Sequence, residues 1–324
     1  MNKCGKRNYD IHNYTHNFWM GCRRYSDGCK NCHMWLMQSQ RGVDPARIYR
    51  CKYQTAYGDV LKLQRQAEAA GKVYTVTACS YSDFFIEEAD AWRDDSWAVM
   101  KQTPNLVWQL VTKRAENIAD RLPADWGTGY RNVWLGVTVE SRKYLTRLDA
   151  LRGIPCVLRW LNLMPTLEEL MPELADHIDG FHWVIQSGEV GCNLVQPRPF
   201  DYQWARNIRD LCAKRGIAFA FLHGSGDGWG REPLDGVEHR AVPALLDEYR
   251  AKMAKAPRIF DRAKLGNCRI PPNTALPILT GGGEACYLNP AFTIEPGTIV
   301  KRAAWHAITP RQTALKRIQN KPVL

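Results

Sequence analysis

Short apolar runs alternate with longer segments of helical period through the central part of the chain. Runs rich in β-branched and aromatic residues predict strands at 17–21, 73–78, 106–112, 133–139, 156–161, 183–186 and 218–222. Apolar positions three or four residues apart predict helices at 90–102, 116–121, 142–151, 167–177 and 202–215. This alternating order is typical of α/β proteins, in which helices cover a parallel sheet.

Polar side chains stand at the ends of six of the predicted strands. An ordinary helix N-cap explains any one of them taken alone, but the repetition favours a functional site. In βα barrels the reacting groups collect at the carboxyl ends of the strands, so these residues predict one polar mouth. They are Ser80, Ser82, Asp83, Thr112, Lys113, Arg114, Thr138, Glu140, Asn162, Ser187, Glu189, His223 and Ser225.

Three cysteines stand close together after the first predicted strand. Cys22, Cys29 and Cys32 form a Cys-x6-Cys-x2-Cys pattern. Three thiolates on one loop can hold three irons of a 4Fe-4S cubane and leave the fourth iron open, where S-adenosylmethionine (SAM) can chelate. Gly21 and Gly28 would let the backbone wrap closely around such a cluster.

Zinc is the alternative metal for these cysteines. A Cys3His site could use His33, or Cys4, His12 or His16 upstream. Zinc modules usually carry two Cys-x2-Cys pairs, and the sequence offers only one here. Three cysteines on one loop at the start of a βα series therefore favour the iron-sulfur interpretation.

The composition fits a folded protein with a basic surface. The 324 residues are 45% hydrophobic, enough for a full core, and Lys and Arg outnumber Asp and Glu by 44 to 33. Such a surplus favours nucleic acid as the partner. Because the sequence shows no apolar run of membrane-spanning length and no secretory signal, we expect a cytoplasmic protein without disulfides.

The character of the sequence changes at about residue 255. Prolines and the Gly281-Gly282-Gly283 run interrupt any periodicity, and residues 255–324 contain eleven Lys or Arg against three Asp or Glu. We predict a barrel domain over residues 1–254 and an irregular basic C-terminal extension over residues 255–324. The extension either contacts DNA phosphates or is a solvated basic tail.

Six motifs follow one another in a fixed order between residues 17 and 229. They are Gly21-Cys22 with Asp27-Gly28-Cys29 and Cys32, Ser80-Tyr81-Ser82-Asp83-Phe84-Phe85, Val111-Thr112-Lys113-Arg114-Ala115-Glu116, Asn132 to Glu140, Trp183 to Glu189, and Arg198-Pro199. Through this ordered set the sequence resembles a radical SAM-like family that is widespread in bacteriophages and bacteria. The resemblance implies a partial (β/α)6 TIM-like barrel, a 4Fe-4S cluster and SAM as cofactor.

The resemblance also implies roles for single residues around the cofactor. Ser82 and Asp83 are candidates for binding the SAM amino group, and Lys113 is the candidate for its carboxylate. Thr138 and Glu140 are candidates for its ribose. The charges agree with this assignment, because an ammonium group pairs with aspartate and a carboxylate with lysine. An electron donor such as a flavodoxin would reduce the cluster.

Departures from the family pattern lie at the predicted mouth. Residues 161–165 replace a Glu-Pro-Leu-Leu run, and residues 222–226 replace a Lys-Gln-Trp-Gly run. We therefore expect a substrate that differs from the one typical of the family. Asn31 stands where other radical SAM enzymes carry an aromatic residue, so we expect His33 or Trp35 to stack on the adenine.

The phage setting and the basic extension point to modified thymine in DNA as the substrate. We predict an isomerase of thymidine hypermodification, which converts a glycine attached to the thymine methyl carbon through nitrogen into a carbon-linked form. Arg159 or Arg198 would hold the glycine carboxylate. The candidates for positioning the substrate are Glu189, Asn162, Arg159, Gln186 and His223.

The base would have to be flipped out or single-stranded to reach such a site. The side chains that could stack on it are Trp19, Trp35, Trp160, Trp229 and Tyr25, although most tryptophans of a folded chain are core residues. Three alternatives stay open: repair of thymine dimers, radical modification of RNA, and a zinc-containing nucleic-acid-binding module without catalytic activity.

Overall fold

Eight strands form one sheet in the first of the two units, Met1–Thr274 and Ala275–Leu324, into which the chain divides. A computed structural model describes residues 5–9, 11–191, 195–226 and 232–256, and two short strands beyond them. The strands of the first unit are β1 Gly5–Tyr9, β2 His12–His16, β3 Trp19–Met20, β4 Tyr49–Arg50, β5 Tyr74–Ala78, β6 Leu106–Thr112, β7 Val133–Thr138, β8 Arg159–Leu163, β9 Trp183–Gln186 and β10 Ala218–Phe221. The sheet has the order β1-β2-β5-β6-β7-β8-β9-β10, and all neighbours after the antiparallel β1-β2 pair are parallel.

Helices follow most of the parallel strands, as the alternating pattern predicts. They are α1 His33–Gln40, α2 Asp59–Ala69, α3 Asp90–Lys101, α4 Thr146–Arg152, α5 Leu174–His177, α6 Tyr202–Arg215 and α7 Ala244–Lys255. The helix predicted at 116–121 is instead two short 3-10 turns, and the one predicted at 167–177 forms only its last turn.

The sheet curls into an open half-barrel. β2 and β9 lie five steps apart in the strand order, so a flat sheet would separate them by about 24 Å. The ring of His12 on β2 instead lies 5.9 Å from the ring of Trp183 on β9 and 6.4 Å from that of Trp160 on β8. The predicted α/β partial barrel is thereby confirmed.

One glycine makes room for a tryptophan inside this barrel. Gly136 on β7 pairs with Trp160 on β8, and a Cβ at residue 136 would lie 2.4 Å from the indole ring. Trp160 is 1% exposed and its ring lies 5.6 Å from that of Trp183, so an added methyl group would force the packed indole to shift. We expect Gly136→Ala to lower the free energy of unfolding by about 1–3 kcal/mol, measured by urea denaturation.

Gly153→Ala is the matched control for this substitution. Gly153 follows α4 with an ordinary helical φ of −68°, and its nearest neighbour would be a carbonyl oxygen at 3.5 Å. We expect this change to alter the free energy of unfolding by less than about 1 kcal/mol. Equal losses in the two variants would contradict the packing argument.

The first strand of the barrel differs from the prediction. β2 lies upstream of the predicted strand at 17–21, where β3 pairs with β4 outside the main sheet. β2 carries histidines on its inward face, a pattern that does not indicate a buried strand. His16 Nε2 donates to the Ala56 carbonyl oxygen at 2.8 Å, and burial lowers the pKa of this imidazole to about 4. His12 Nδ1 donates to Gln109 Oε1 at 2.5 Å.

The strand that carries Arg159 begins later than predicted. β8 starts at Arg159, so this residue lies at the amino end of the parallel strands and not at the mouth. Its guanidinium group donates to the carbonyl oxygens of Leu151 and Ile154, at 3.1 and 2.5 Å, where α4 ends. The predicted role of Arg159 in substrate binding is therefore corrected, because the side chain caps a helix at the opposite end of the barrel.

The second unit is described only in part. Its two described strands, β11 Ile278–Leu279 and β12 Ala285–Cys286, pair antiparallel. The DNA contacts predicted for residues 255–324 lie almost wholly outside the described residues, and the domain boundary predicted at residue 255 stays a prediction. Among the described helices of the chain, none is both long and apolar enough to cross a membrane.

Candidate active site

Residues 21–32, the cysteine loop, lie across the carboxyl end of the half-barrel. The loop follows β3 and contacts residues that follow three of the parallel strands, β5, β7 and β9. The contacts run from Gly21 N to the Tyr81 carbonyl oxygen (3.1 Å), from Gly28 N to Glu140 Oε1 (3.2 Å) and from Asn31 Nδ2 to Glu189 Oε2 (2.8 Å). The cysteine loop therefore lies beside residues that follow three of the parallel strands.

The three cysteines occupy different local settings within the loop. Cys22 N donates to the Pro45 carbonyl oxygen at 2.9 Å, Cys29 ends a buried 3-10 turn, and Cys32 is the N-cap residue of α1. All three are free thiols, and Cys22 Sγ donates to the Arg23 carbonyl oxygen at 3.4 Å. No group of three His, Cys, Asp or Glu in the described ranges already has the arrangement of a metal site. Binding a cluster would therefore draw the Cys22 sulfur away from that carbonyl.

The thiols of the loop differ in acidity. Burial, with smaller contributions from Asp83, Cys32 and Cys29 that outweigh the opposing Arg114 charge, raises the pKa of the Cys22 thiol to about 12. Burial also raises the pKa of Cys29, but the Lys113 ammonium group and backbone hydrogen bonds outweigh this effect, so the pKa lies below its ordinary value. The three sulfurs are thus within electrostatic reach of one another. Three soft donors on one loop, one of them with a pKa below its ordinary value, fit the ligand requirements of an iron-sulfur cluster.

Glu140 fastens the cysteine loop to the barrel. Its side chain is 0% exposed, and Oε1 accepts hydrogen bonds from the Ser26 hydroxyl, from Gly28 N at 3.2 Å and from Lys113 Nζ at 3.4 Å. Oε2 accepts from Arg147 at 2.8 Å. Burial raises the pKa of this carboxyl, but Lys113, Ser26 and Arg147 together hold it below its usual range. The residue predicted to meet the SAM ribose therefore uses both oxygens within its own chain.

Lys113 lies between the cysteine loop and the interior of the mouth. A Cβ at Gly28 would lie 2.7 Å from Lys113 Nζ, so the loop approaches the ammonium group as closely as a glycine allows. The Lys113 side chain is 17% exposed, and the carboxylate of Glu140 at 3.4 Å leaves part of the ammonium group open to a further anion.

Ser82 and Asp83 make their contacts within the protein. Ser82 Oγ donates to the Gly21 carbonyl oxygen at 2.5 Å, which holds the start of the cysteine loop. The Asp83 carboxylate accepts from Thr112 Oγ1 at 2.7 Å and from Arg114 Nη1 at 3.3 Å. Ser82 thus holds the cysteine loop, and Asp83 holds residues at the end of β6. Their predicted contact with the SAM amino group stays a prediction.

A cavity of about 280 Å³ opens beside the cysteine loop at the mouth. This volume lies near the lower end of the range usual for ligand pockets. The predicted site residues that line it are Cys32, His33, Lys113, Thr138, Asn162 and Glu189. Asn162 Nδ2 donates to Thr138 Oγ1 at 3.1 Å, so these two side chains lie side by side in the cavity wall.

Glu189 and Arg198 form a pair at the edge of the cavity. Arg198 Nε donates to Glu189 Oε2 at 3.0 Å, and Arg198 Nη1 reaches the Asp27 carbonyl oxygen of the cysteine loop at 3.2 Å. Burial raises the pKa of Glu189, but Arg198 and Asn31 outweigh it, so the carboxyl stays ionised. Arg198 thus joins Glu189, which lines the cavity, to the cysteine loop.

Three other predicted residues, His223, Gln186 and Trp19, do not line the cavity. His223 is buried, its Nδ1 donates to the Gly224 carbonyl oxygen at 2.6 Å, and burial lowers the pKa of its imidazole. Gln186 donates to Thr166 Oγ1 at 3.2 Å inside the barrel. Trp19 is a core residue, whereas Trp160 lines the cavity and Trp229 lies outside the described residues.

The aromatic candidates of the cysteine loop region lie closer to the mouth. The His33 ring lines the cavity and is 6.3 Å from the Tyr81 ring. The Trp35 ring lies under the Arg24 guanidinium group at 4.6 Å, and Tyr25 is 44% exposed.

Sequence reasoning missed the residues that hold the site together. Ser26 and Asn31 tie the cysteine loop to Glu140 and Glu189, and Arg147 neutralises Glu140 from the far side. The one sequence signal for Ser26 and Asn31 is their position among the three cysteines. Arg147 carries no such signal, because it lies within a helix of ordinary composition.

Comparison with known proteins gives a family and a set of similar structures. A family model described as "Protein of unknown function (DUF5131)" matches residues 8–255. No curated protein matches the sequence significantly.

The similar structures are those of spore photoproduct lyase. A cysteine-to-alanine mutant of this lyase is 15% identical, with 78% of this chain and 76% of that chain covered and a TM-score of 0.44. A double mutant with bound AdoMet and dinucleoside spore photoproduct is 17% identical, with a TM-score of 0.41 and 66% of this chain covered. The chain spans 65% of the length of that lyase.

Proposed function

We propose that this chain, which belongs to the DUF5131 family, is a radical SAM enzyme whose 4Fe-4S cluster is held by Cys22, Cys29 and Cys32. The observation that carries the proposal is the position of the cysteine loop, at the carboxyl end of a parallel half-barrel and beside a cavity of about 280 Å³. When bound, the cluster and SAM together supply a 5′-deoxyadenosyl radical that takes a hydrogen atom from the substrate. The AdoMet bound in one matched lyase structure agrees with this cofactor.

The residues of the cavity supply complementary groups for SAM. The Lys113 ammonium group is assigned to the carboxylate, Thr138 to the ribose and His33 to the adenine, because all three line the cavity. Glu140 is assigned to holding Lys113 and the loop in place. The cavity also has to exclude water from the reacting groups. The apolar side chains of Trp160 and Leu222 line part of the cavity and serve this purpose.

The proposed substrate is a thymine base of DNA that carries a glycine, and the proposed reaction is an isomerisation. Removal of hydrogen from the glycine Cα allows the thyminylmethyl group to move from nitrogen to that carbon, and return of one hydrogen leaves the composition unchanged. Arg198 is assigned to the glycine carboxylate, since it is bound to Glu189, which lines the cavity. Asn162 and Glu189 are assigned to the glycine nitrogen.

Incubation of the reduced enzyme and SAM with DNA that contains N-linked glycinyl-thymine tests this reaction. We expect a nucleoside of unchanged mass with a new retention time and fragmentation pattern by liquid chromatography and mass spectrometry. The Arg198→Met protein is expected to form this product at least tenfold more slowly, roughly the effect of losing a charged hydrogen bond. Formation of 5′-deoxyadenosine without any isomer would contradict the isomerase and leave the radical SAM assignment standing.

A further inference from the structure

A basic part of the barrel adjoins the proposed cluster site. Residues 21–53 contain seven Lys or Arg against two Asp or Glu, whereas residues 54–254 contain 23 against 27. Within the barrel, the surplus of positive over negative side chains is therefore largest in the cysteine loop and the stretch that follows it. A local surplus of this kind attracts polyanions to one place on a surface.

The two parts of this basic region are joined backbone to backbone. Residues 45–51 run beside residues 18–22, as the pairing of Met20 with Tyr49 and the hydrogen bond from Cys51 N to the Phe18 carbonyl oxygen (2.9 Å) indicate. A Cβ at Gly21, which has a φ of +85°, would lie 2.1 Å from the Arg47 carbonyl oxygen. The charged residues of the segment 41–53 thus lie next to the first residues of the cysteine loop.

Five exposed cations of this region have no carboxylate partner among the described residues. They are Arg24, Lys30, Arg41, Arg47 and Lys52, and we name them the basic rim. Three arginines elsewhere on the barrel, Arg152, Arg206 and Arg215, are instead each paired with an aspartate. Unpaired cations keep their charge available for an external anion.

Exposed tyrosines accompany the basic rim. The large hydrophobic side chains that are exposed in the described ranges are Tyr25, Tyr49, Tyr53 and Val237, and the three tyrosines all fall within residues 25–53. The Tyr25 hydroxyl is held by Glu116. Tyr49 and Tyr53, at 37% and 45% exposure, present ring surface to solvent. Cations interspersed with aromatic rings are the pattern that single-stranded nucleic acid binds, with phosphates on the cations and bases on the rings.

We infer that the basic rim, with Tyr49 and Tyr53, binds single-stranded DNA and leads an unpaired base to the cavity beside the cysteine loop. A duplex covers the faces of its bases, so the tyrosine rings favour the single strand. The choice of DNA over other polyanions rests on the proposed function, whereas the binding itself requires neither cluster nor SAM. This contact lies on the barrel and is independent of the basic extension.

The charge contribution is tested by fluorescence anisotropy of the full chain with a labelled oligothymidylate of about 15 nucleotides. We expect Arg41→Glu/Arg47→Glu/Lys52→Glu to raise Kd at least about tenfold at 0.1 M salt, and to reduce the slope of log K against log salt by about 2. Loss of three phosphate contacts accounts for both changes.

The matched control reverses three exposed charges at the other end of the barrel. Lys72, Arg131 and Lys214 precede β5, β7 and β10, so they lie at the amino ends of the strands. Lys72→Glu/Arg131→Glu/Lys214→Glu changes the net charge equally, and we expect its Kd to stay within about twofold of the wild-type value. An equal loss in both triple variants would overturn the rim as the binding face.

The stacking contribution has its own pair of variants. We expect Tyr49→Ala/Tyr53→Ala to raise Kd for the single strand about tenfold, and Tyr49→Phe/Tyr53→Phe to leave it unchanged, because phenylalanine keeps the ring. Wild-type protein that bound duplex as tightly as the single strand would overturn the single-strand assignment.

Cleavage of SAM, measured without DNA, separates this inference from the proposed function. A rim variant that loses DNA binding but forms 5′-deoxyadenosine at the wild-type rate supports both. Wild-type protein that binds DNA through the rim but never cleaves SAM supports the rim and removes the radical SAM assignment. A rim variant that binds DNA as tightly as the wild type contradicts the inference about the rim and leaves the proposed function unaffected.

Discussion

After anaerobic reconstitution, the Cys29→Ala protein is expected to bind at most about one tenth of the iron that the wild type binds. Cys29 is the thiol whose pKa lies below its ordinary value, and it is buried where the cysteine loop meets Glu140 and Lys113. Removing it leaves two cysteines on the loop, which cannot hold a cubane with one open iron. Iron analysis and the broad visible absorbance of the cluster measure the effect.

Cys212→Ala provides the control for this substitution. Cys212 is also a buried free thiol, but it lies on α6, and burial alone raises its pKa to about 12. We expect this variant to bind as much iron as the wild type. Wild-type protein that took up zinc in place of iron, or a Cys29→Ala protein with full iron content, would contradict the cluster assignment.

Glu140→Leu is expected to lower the free energy of unfolding by about 3 kcal/mol, measured by urea denaturation of the metal-free protein. The substitution leaves Arg147 and Lys113 without their buried carboxylate and the Gly28 amide without an acceptor. Glu140→Gln keeps an acceptor of the same shape and is expected to cost about 1–2 kcal/mol. A Glu140→Leu protein as stable as the wild type would contradict the role of Glu140 in fastening the loop.

The difference in unfolding free energy between the wild type and Glu140→Leu is expected to depend on pH with a defined sign. Because the pKa of Glu140 is lowered in the folded protein, its contribution to stability is fully present above the unfolded-state pKa of about 4.3. The contribution is lost as the pH falls through the folded-state pKa. The stability difference between wild type and Glu140→Leu should therefore shrink as the solution is acidified below about pH 4.

The central strands and the longest helix follow from the sequence because their periodicity is strong. β6, β9 and α6 have the predicted bounds, since apolar side chains occupy most of their buried positions. β2 was placed too late because His12 and His16 occupy inward positions that usually hold aliphatic side chains. The start of β8 was placed three residues early, and this error moved Arg159 to the wrong end of the barrel.

The candidate site was predictable only where its residues share a local pattern. The three cysteines form such a pattern, and Lys113, Thr138 and Glu189 stand where the strands end. The roles of these residues depend on tertiary contacts that no local pattern records. Ser26 and Glu140 lie 114 residues apart in the chain, and their hydrogen bond, which holds the cysteine loop, is one such contact.

Formation of 5′-deoxyadenosine tests the central claim most directly. The iron-reconstituted, dithionite-reduced protein is incubated with SAM under anaerobic conditions, and the product is followed by liquid chromatography beside the Cys29→Ala protein. We predict 5′-deoxyadenosine from the wild type and none from the variant. No 5′-deoxyadenosine from a wild type that holds its full complement of iron, or equal amounts from the two proteins, would contradict the assignment of this chain as a radical SAM enzyme.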